Sequence, residues 1–477
     1  MSVNKKMIKK LFLESNFLFF LRKQNFSLVV ALVLLFILTI AGCESKIEDL
    51  IGMGTSEESV VEEEIDAVVE STNVEKKFSK IEEKTLLLED PEIEKTILKK
   101  DELRVGLLLP LSGSDSFLGN ALLKSAQMAI FDNKNDEIYL YPLDTKGNPQ
   151  GARKAAEKAI EHDVHIIIGP VFSNSVFAIS KIMKERNIPI IALSTDKKVS
   201  GDGVYLMGFM PDDPINTVVA YAADQGCKDL GAVIPNNNYG KIVYQILEES
   251  SAINNISFIK KIFIDPQSKD FSEEIKKFSN YPLRHAALLE RRKELIDQED
   301  EYSKKALSRL ENIDTLGDPP FNCVFLPFGG RVLKTVATLL AFYDVDPKKI
   351  KFLGTMQWAD VSLGTEPPLL GGWFAAPELK RWSKFVSRYK DYFNETPLRL
   401  SSIVYDSISL IFHLYKDESD KESFPSSNLA NQKGFSGLDG IFRFTSEGIT
   451  ERNLAILEVQ RGNLKVIQKP DTAFNKD

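Results

Sequence analysis

Short polar side chains follow two neighbouring apolar runs near the middle of the chain. Val164 to Ile168 precedes the cluster Ser173 to Ser175, and Ile188 to Ala192 precedes Ser194 to Asp196. Small hydroxyl groups beside free backbone N–H groups at a helix start can hold a carboxylate or another anionic group. The same residue types are also ordinary helix caps and turn formers, so the two interpretations stay open.

The segments around these clusters predict an α/β fold. Apolar runs rich in β-branched residues alternate with stretches of helical periodicity from Leu103 to Phe209. This alternation gives a mostly parallel sheet with helices on both faces. In such sheets ligands bind beyond the carboxyl ends of the strands, which is where the polar clusters fall.

A second lobe is predicted after Pro211 to Pro214, where prolines and aspartates interrupt the pattern. The alternation then resumes, with the polar turn Pro235 to Gly240 after one predicted strand. A charged stretch from about Phe271 to Asn312 is predicted to be helical, as a coiled-coil arm or as the solvated face of a helical pair.

Composition limits the possible functions. The 477 residues are 43% hydrophobic and carry a net charge of -8, which allows two cores and disfavours nucleic acid as a partner. The cysteines, Cys43, Cys227 and Cys323, are too few and scattered for a disulfide framework or a zinc site. No metal and no cofactor are expected. The sequence also has no G-x-S-x-G, H-E-x-x-H or P-loop motif, so we expect no enzyme.

The N-terminus predicts export. A basic segment precedes an apolar run from Leu28 to Ala41 that is short for a bilayer span, although an uncleaved membrane anchor stays open. Ile40 to Cys43 resembles the bacterial lipoprotein signal, which implies that Cys43 is lipidated and anchors the protein in the membrane, facing the periplasm. Glu44 after the cysteine tilts this resemblance toward the outer membrane. The acidic stretch that follows is predicted to be a flexible tether.

The region from about Leu103 to Phe474 resembles the type I periplasmic binding protein superfamily, that of branched-chain amino-acid receptors. Within it, the chain is most similar to alphaproteobacterial penicillin-binding protein activator lipoproteins. The motifs that carry the resemblance are RVGLLLPLSG from Arg104, IIIGPVFSNS from Ile166, GTMQWAD from Gly354, GGWFAAP from Gly371, YDSISL from Tyr405, and GFSGLDGIFRFTSEGITERNLAILEV from Gly434. The last of these is the longest and most specific.

The resemblance implies two α/β lobes joined by three crossings, near Met210, near Thr355 and around Gly437 to Arg452. The expected segments are a signal peptide (1–42), the tether (43–101), lobe 1 (102–211 and 356–438), lobe 2 (212–355, with a helical insert at about 271–314) and C-terminal crossing strands with a tail (439–477).

The resemblance also implies a ligand cleft between the lobes. Its expected residues are Ser112, Ser173, Ser175, Ser194, Thr195, Asp196, Tyr239, Phe328, Gln357 and Trp358. Amino-acid receptors usually have an acidic residue where Gln357 falls, and Asp196 adds a carboxylate on the side expected to bind one. These departures argue against an ordinary amino acid as ligand. Trp358 has core packing as its alternative role.

Two functions follow as expectations. The first is a non-catalytic envelope lipoprotein that regulates a cell-wall synthase by protein contact. The alternative is a solute receptor of an ABC transporter that binds an amino acid or another small polar ligand and closes its lobes around it. The partners would accordingly be a synthase, or the membrane subunits of a transporter.

The lipid anchor is tested by replacing Cys43 with alanine. We expect the variant to lose metabolically incorporated fatty acid and to move from the detergent phase to the aqueous phase, because the acyl chains supply the membrane affinity. Ser45→Ala is the matched control and should keep both properties. Membrane retention of the Cys43→Ala variant would instead indicate an uncleaved apolar anchor.

Overall fold

The structure is a computed structural model that describes residues 102–133, 138–298, 300–416 and 426–474. The expected signal peptide, Cys43 and the tether lie outside the described residues. Within the described ranges, no helix combines the length and the apolar character that crossing a membrane requires.

The first lobe is built on five parallel strands. They are β1 (Leu103–Leu109), β2 (Ile138–Asp144), β3 (Ile166–Ile168), β4 (Ile190–Ala192) and β5 (Val204–Leu206), in the order β2-β1-β3-β4-β5. Helices α1 (Ser116–Asn133), α2 (Pro149–Glu161) and α3 (Ser173–Glu185) connect them. Leu107 packs in a core with Leu122 of α1, whereas Leu108 packs in another with Ala156 of α2. Alternate residues of β1 therefore face opposite, covered sides of the sheet.

The second lobe has a seven-stranded sheet. Its first elements are α4 (Asp212–Asp224), β6 (Asp229–Pro235), α5 (Asn238–Ile253), β7 (Ser257–Ile264), α6 (Ser272–Phe278), α7 (Tyr281–Asp297) and α8 (Glu301–Leu310). They are followed by β8 (Cys323–Phe325), α9 (Gly330–Phe342), β9 (Lys351–Gly354) and β10 (Trp373–Ala376). Strands β6 to β10 pair in parallel along the order β10-β9-β8-β6-β7. The predicted α/β fold with two mostly parallel sheets is confirmed.

The chain then returns to lobe 1 and makes a third, antiparallel sheet. The elements are α10 (Leu379–Phe393), α11 (Ser401–Lys416), α12 (Ser426–Leu429), β11 (Phe435–Gly437), β12 (Gly440–Phe444) and β13 (Thr450–Arg452). A bridge between Leu206 and Ile449 joins this small sheet to lobe 1. The chain finally enters lobe 2 again as β14 (Ala455–Gln460) and β15 (Asn463–Gln468), at the edge of the larger sheet.

Two expectations from the sequence need correction, one about a crossing and one about strand pairing. The second crossing lies after Ala376 and not near Thr355, because β10 still pairs with β9 in the lobe 2 sheet. The sequence pattern also predicts a terminal hairpin in which Gly440–Phe444 pairs with a strand from Leu454 to Val459, and this hairpin does not form. The first of these strands pairs with β13, while β14 pairs with β10. An apolar pattern indicates a strand but does not indicate its partner.

The charged stretch of lobe 2 folds as a packed helical pair, α7 and α8, beside the short helix α6. Arg284 fastens the pair to the lobe: its Nη2 donates to Thr315 Oγ1 at 2.8 Å and to the carbonyl of Asp344 at 3.0 Å, and its Nε donates to the carbonyl of Gly317 at 3.0 Å. Burying a guanidinium group is favourable only with such partners.

A disulfide bond joins Cys227 and Cys323, whose Cα atoms are 5.9 Å apart and whose separation in sequence is 96 positions. The parallel pairing of β6 with β8 brings the two cysteines together, since Leu230 lies opposite Cys323. Their spacing along the chain does not indicate this pair. A disulfide is typical of proteins that fold in an oxidising compartment, in agreement with export.

A buried carboxyl group ties α11 to the small antiparallel sheet. Asp406 is 2% exposed, and its Oδ1 accepts a hydrogen bond of 2.8 Å from the backbone N–H of Leu438. Gly437 makes room for it, because a Cβ there would lie 2.3 Å from Asp406 Oδ2. Burial, and next the negative charge of Asp439, raise the pKa of Asp406 from 3.8 to about 7.

The raised pKa predicts how stability depends on pH. Between about pH 4 and pH 7 the folded protein holds the Asp406 proton that the unfolded chain releases. The free energy of unfolding should therefore fall as pH rises through this window, by up to about 1.4 kcal/mol per pH unit for one such group, and level off above it. Chemical denaturation of the full chain at a series of pH values measures this.

Asp406→Asn isolates the contribution of this carboxyl group, because an amide resembles the protonated acid. We expect the variant and the parent to be similarly stable near pH 5, and the variant to be the more stable near pH 8. Parallel stability curves for the two proteins would show that Asp406 is ionised in the folded state.

Candidate functional site

A cavity of about 1250 Å³ lies where the two lobes meet. Lobe 1 contributes the segment Thr195 to Lys198 after β4, and lobe 2 contributes the start of α5 and the segment Thr355 to Gln357 after β9. The first crossing, Phe209 to Pro214, and the two arginines Arg399 and Arg452 complete the wall. The carboxyl ends of strands from both sheets thus border one cavity, as expected for open α/β sheets.

The lobe 1 side of the cavity is formed by the loop after β4. Thr195 is exposed, and Asp196 caps the short 3₁₀ helix Lys197–Val199 by accepting a hydrogen bond of 3.1 Å from the N–H of Lys198. Gly208 lets the first crossing pass close by, since a Cβ there would lie 2.6 Å from the carbonyl oxygen of Ser194. The cavity wall is therefore continuous from β4 to the crossing.

The lobe 2 side is set by the start of α5. Asn237 caps this helix by accepting a hydrogen bond of 2.9 Å from the N–H of Gly240. A Cβ on Gly240 would lie 1.7 Å from the carbonyl oxygen of Pro235, so only glycine lets the helix begin this close to β6. Tyr239 lies in the first turn of this helix and is partly buried against the apolar core of lobe 2. Burial raises the pKa of its hydroxyl, which therefore stays a neutral hydrogen-bonding group.

The structure brings four of the residues expected in the cleft into this cavity wall: Thr195, Asp196, Tyr239 and Gln357. Gln357 is exposed and stands beside Gly329, where a Cβ would lie 3.3 Å from its Oε1. These side chains offer hydroxyl, carboxylate and amide groups from both lobes. They can hydrogen-bond a polar molecule from two sides.

The four serines of lobe 1 that were expected in the cleft do not line the cavity. Ser112 donates to Asp144 Oδ2 at 2.5 Å and so closes the loop after β1. Ser173 begins α3, Ser175 is buried, and Ser194 accepts a hydrogen bond of 3.1 Å from the N–H of Asp196. Ser112 and Ser194 thus act here as turn formers.

Two of the three aromatic residues of lobe 2 that were expected in the cleft, Phe328 and Trp358, lie in its core. Phe328 is 4% exposed, and Trp358 is fully buried with its Nε1 donating to the carbonyl of Leu326 at 3.1 Å. Gly354 and Gly372 make room for the indole ring, since a Cβ on either would lie within 3.0 Å of it. Trp358 therefore takes the packing role that was its alternative.

Charged residues that the sequence does not single out also line the cavity. Lys197 Nζ and Asp212 Oδ1 form an ion pair of 2.6 Å between lobe 1 and the start of α4. Asp213 Oδ2 accepts a hydrogen bond of 3.0 Å from the backbone N–H of Arg452. Burial raises the pKa of Asp213 to about 7, although the charge of Arg452 opposes this shift. In the sequence, the prolines and aspartates from Pro211 to Pro214 were the signal that could have indicated charged residues at the first crossing.

Two guanidinium groups lie at the crossings. Arg399 Nη2 and Nη1 donate to the two oxygens of Asp439, at 2.5 Å and 3.2 Å. Arg452 Nη2 donates to the carbonyl of Met207 at 3.1 Å. The ring of Phe209 lies 4.8 Å from the Arg399 guanidinium carbon and 5.2 Å from that of Arg452, within cation–π range of both.

The groups that line the cavity are suited to binding a small molecule. Among the described residues, no group of three or more His, Cys, Asp or Glu side chains could hold a metal ion. The cavity instead presents hydrogen-bonding groups, two guanidinium groups and partly apolar walls, the usual make-up of a small-molecule site.

Two curated proteins are similar to parts of this chain. Two curated relatives are each 25% identical: an uncharacterized protein of Rickettsia prowazekii (strain Madrid E), over 39% of this chain and 50% of that protein, and the Leu/Ile/Val-binding protein BraC3 of Rhizobium johnstonii, over 36% and 50%. The chain spans about half the length of these relatives.

A solved structure assigned to a branched-chain amino acid ABC transporter of Rhodospirillum rubrum has the same fold. It superposes with a TM-score of 0.61 at 15% identity, over 77% of this chain and 100% of that one. The family model described as periplasmic binding protein matches residues 102–463. The chain therefore belongs to the periplasmic binding protein family, whose members are exported receptors for small ligands.

Proposed function

We propose that this protein is an exported solute receptor that binds a small polar molecule between its lobes and presents it to the membrane subunits of an ABC transporter. The observation that carries the proposal is the interlobe cavity, in which Thr195 and Asp196 of one lobe and Tyr239 and Gln357 of the other border the same space. A ligand that contacts both walls stabilises the closed arrangement of the lobes.

The proposal includes the lipid anchor expected at Cys43. Lipid on Cys43 would keep the receptor at the membrane, with the acidic segment up to residue 101 as the tether. The departures at Gln357 and Asp196 argue against a simple amino acid as the solute, because a neutral amide replaces the carboxylate that would hold an α-amino group.

A second candidate function is regulation of a cell-wall synthase through protein contact, as the resemblance to activator lipoproteins implies. The helical pair of lobe 2 favours it. Leu289 and Ile296 lie two turns apart on one face of α7 and are 50% and 59% exposed, and Tyr302 at the start of α8 is 80% exposed. Exposed apolar side chains of this kind are common at protein-binding surfaces.

The receptor function is tested by ligand-induced stabilisation of the full chain in detergent. Amino acids, organic acids, amides, sugars and peptidoglycan fragments are suitable probes. A probe present at a hundredfold excess over its dissociation constant should raise the free energy of unfolding by about 2.7 kcal/mol. Tyr239→Ala should weaken binding by roughly tenfold or more, because it removes an aromatic ring and a hydroxyl group from the cavity wall.

Tyr302→Ala is the matched control, because Tyr302 lies on the helical pair and not in the cavity. It should leave solute binding unchanged. If no probe stabilises the protein, and Tyr302→Ala abolishes stimulation of a synthase, the regulator function replaces the receptor function.

A further inference from the structure

Arg452 is a buried cation with unused hydrogen-bonding capacity. It belongs to the cavity wall and is only 4% exposed. Its Nη2 donates to the carbonyl of Met207, whereas Nε and Nη1 have no hydrogen-bond partner in the described part of the chain. Leaving charged donors buried and unpaired is costly, and a bound ion is one way in which proteins satisfy such groups.

The carboxylates nearest to Arg452 form no hydrogen bond to these two nitrogens, and among the described residues Asp406 Oδ2 is itself buried without a hydrogen-bond partner. Asp213 accepts from the backbone N–H of Arg452, Asp406 accepts from the N–H of Leu438, and Asp439 receives both donors of Arg399. Arg399 thus forms a two-point ion pair with one carboxylate, whereas Arg452 forms no such pair.

The charges around Arg452 are also compatible with a bound anion. Burial raises the pKa values of Asp213 and Asp406 to about 7, so these two carboxyl groups are largely neutral below that pH. Lys197 in the same wall adds positive charge, opposed by Asp212 with which it pairs. The aromatic face of Phe209 lies beside both guanidinium groups and offers an apolar surface next to them.

We propose that the solute is an organic anion, and that its carboxylate or other oxyanion group binds at Arg452, beside the crossings, and not on the hydroxyl groups of lobe 1. This inference rests on the proposed receptor function. A guanidinium group matches the geometry of carboxylates and phosphates alike, so both are candidates for the anionic group. The ligand body would extend along Phe209 toward Tyr239 and Gln357.

Acid and amide pairs test the proposal on the unmodified full chain. The probes are succinate, benzoate and acetate, each against its amide, together with inorganic phosphate and phenyl phosphate, measured by isothermal titration calorimetry. We expect at least one anion to bind, and its uncharged counterpart to bind roughly tenfold more weakly or worse. Preference for the carboxylates or for the phosphates identifies the anionic group.

Variants locate the anion. Arg452→Gln should weaken binding of the preferred anion by roughly tenfold or more, and Arg452→Lys should restore part of it, since charge returns without the fork geometry. Arg443→Gln is the matched control, because Arg443 lies in the neighbouring strand β12, pairs with Glu451 at 2.7 Å and does not line the cavity. It should bind the anion as the parent does.

These experiments distinguish failure of the proposed anion site from failure of the proposed receptor function. Amides that bind as well as acids, or an Arg452→Gln variant with unchanged anion affinity, overturn the anion site and leave the receptor function standing. The acid and amide comparison decides even where Arg452→Gln does not fold. If neither the anions nor the neutral probes bind, both the inference and the proposed function are contradicted.

Discussion

The architecture depends on the constraint that parallel strands end at the same edge of a sheet. In each lobe the loops at the carboxyl ends of the strands collect at one edge, and the crossings hold the two edges toward each other across a cavity of about 1250 Å³. Apolar residues fill both sides of each sheet, so polar groups concentrate where the strands stop. The site is therefore a consequence of the topology, and its chemistry is set by a few loop residues.

Several ionisable groups lie together, buried or half-buried, at the crossings. Arg452, Arg399 and Asp439 lie with Asp406 where the small antiparallel sheet meets lobe 1, and Phe209 of the first crossing contacts both guanidinium groups. Buried ion clusters contribute little net stability, but they penalise every arrangement that leaves a charge unpaired. Such a cluster beside the crossings can therefore respond both to an anion in the cavity and to the arrangement of the lobes.

Part of the fold and of the candidate site was predictable from the sequence. The strands of lobe 1 are short apolar runs followed by polar residues, and this pattern depends only on neighbouring residues. Thr195 could be assigned to the cavity for this reason, whereas Tyr239 was expected there only from the resemblance to periplasmic binding proteins. Strand partners are a matter of long-range packing, so the place of Trp373–Ala376 in lobe 2 and the Cys227–Cys323 bond were not visible. Arg452 escaped notice because a lone arginine in a β-strand has no distinctive spacing.

The central claim is that the cavity between the lobes holds a solute in the cell. Native mass spectrometry of the full chain, purified from its own envelope without exchange of ligands, tests this most directly. The account predicts one bound small molecule of defined mass that is released on denaturation and is lost in Tyr239→Ala. A protein that carries no small molecule under every growth condition tried, or that keeps the same molecule in Tyr239→Ala, would contradict it.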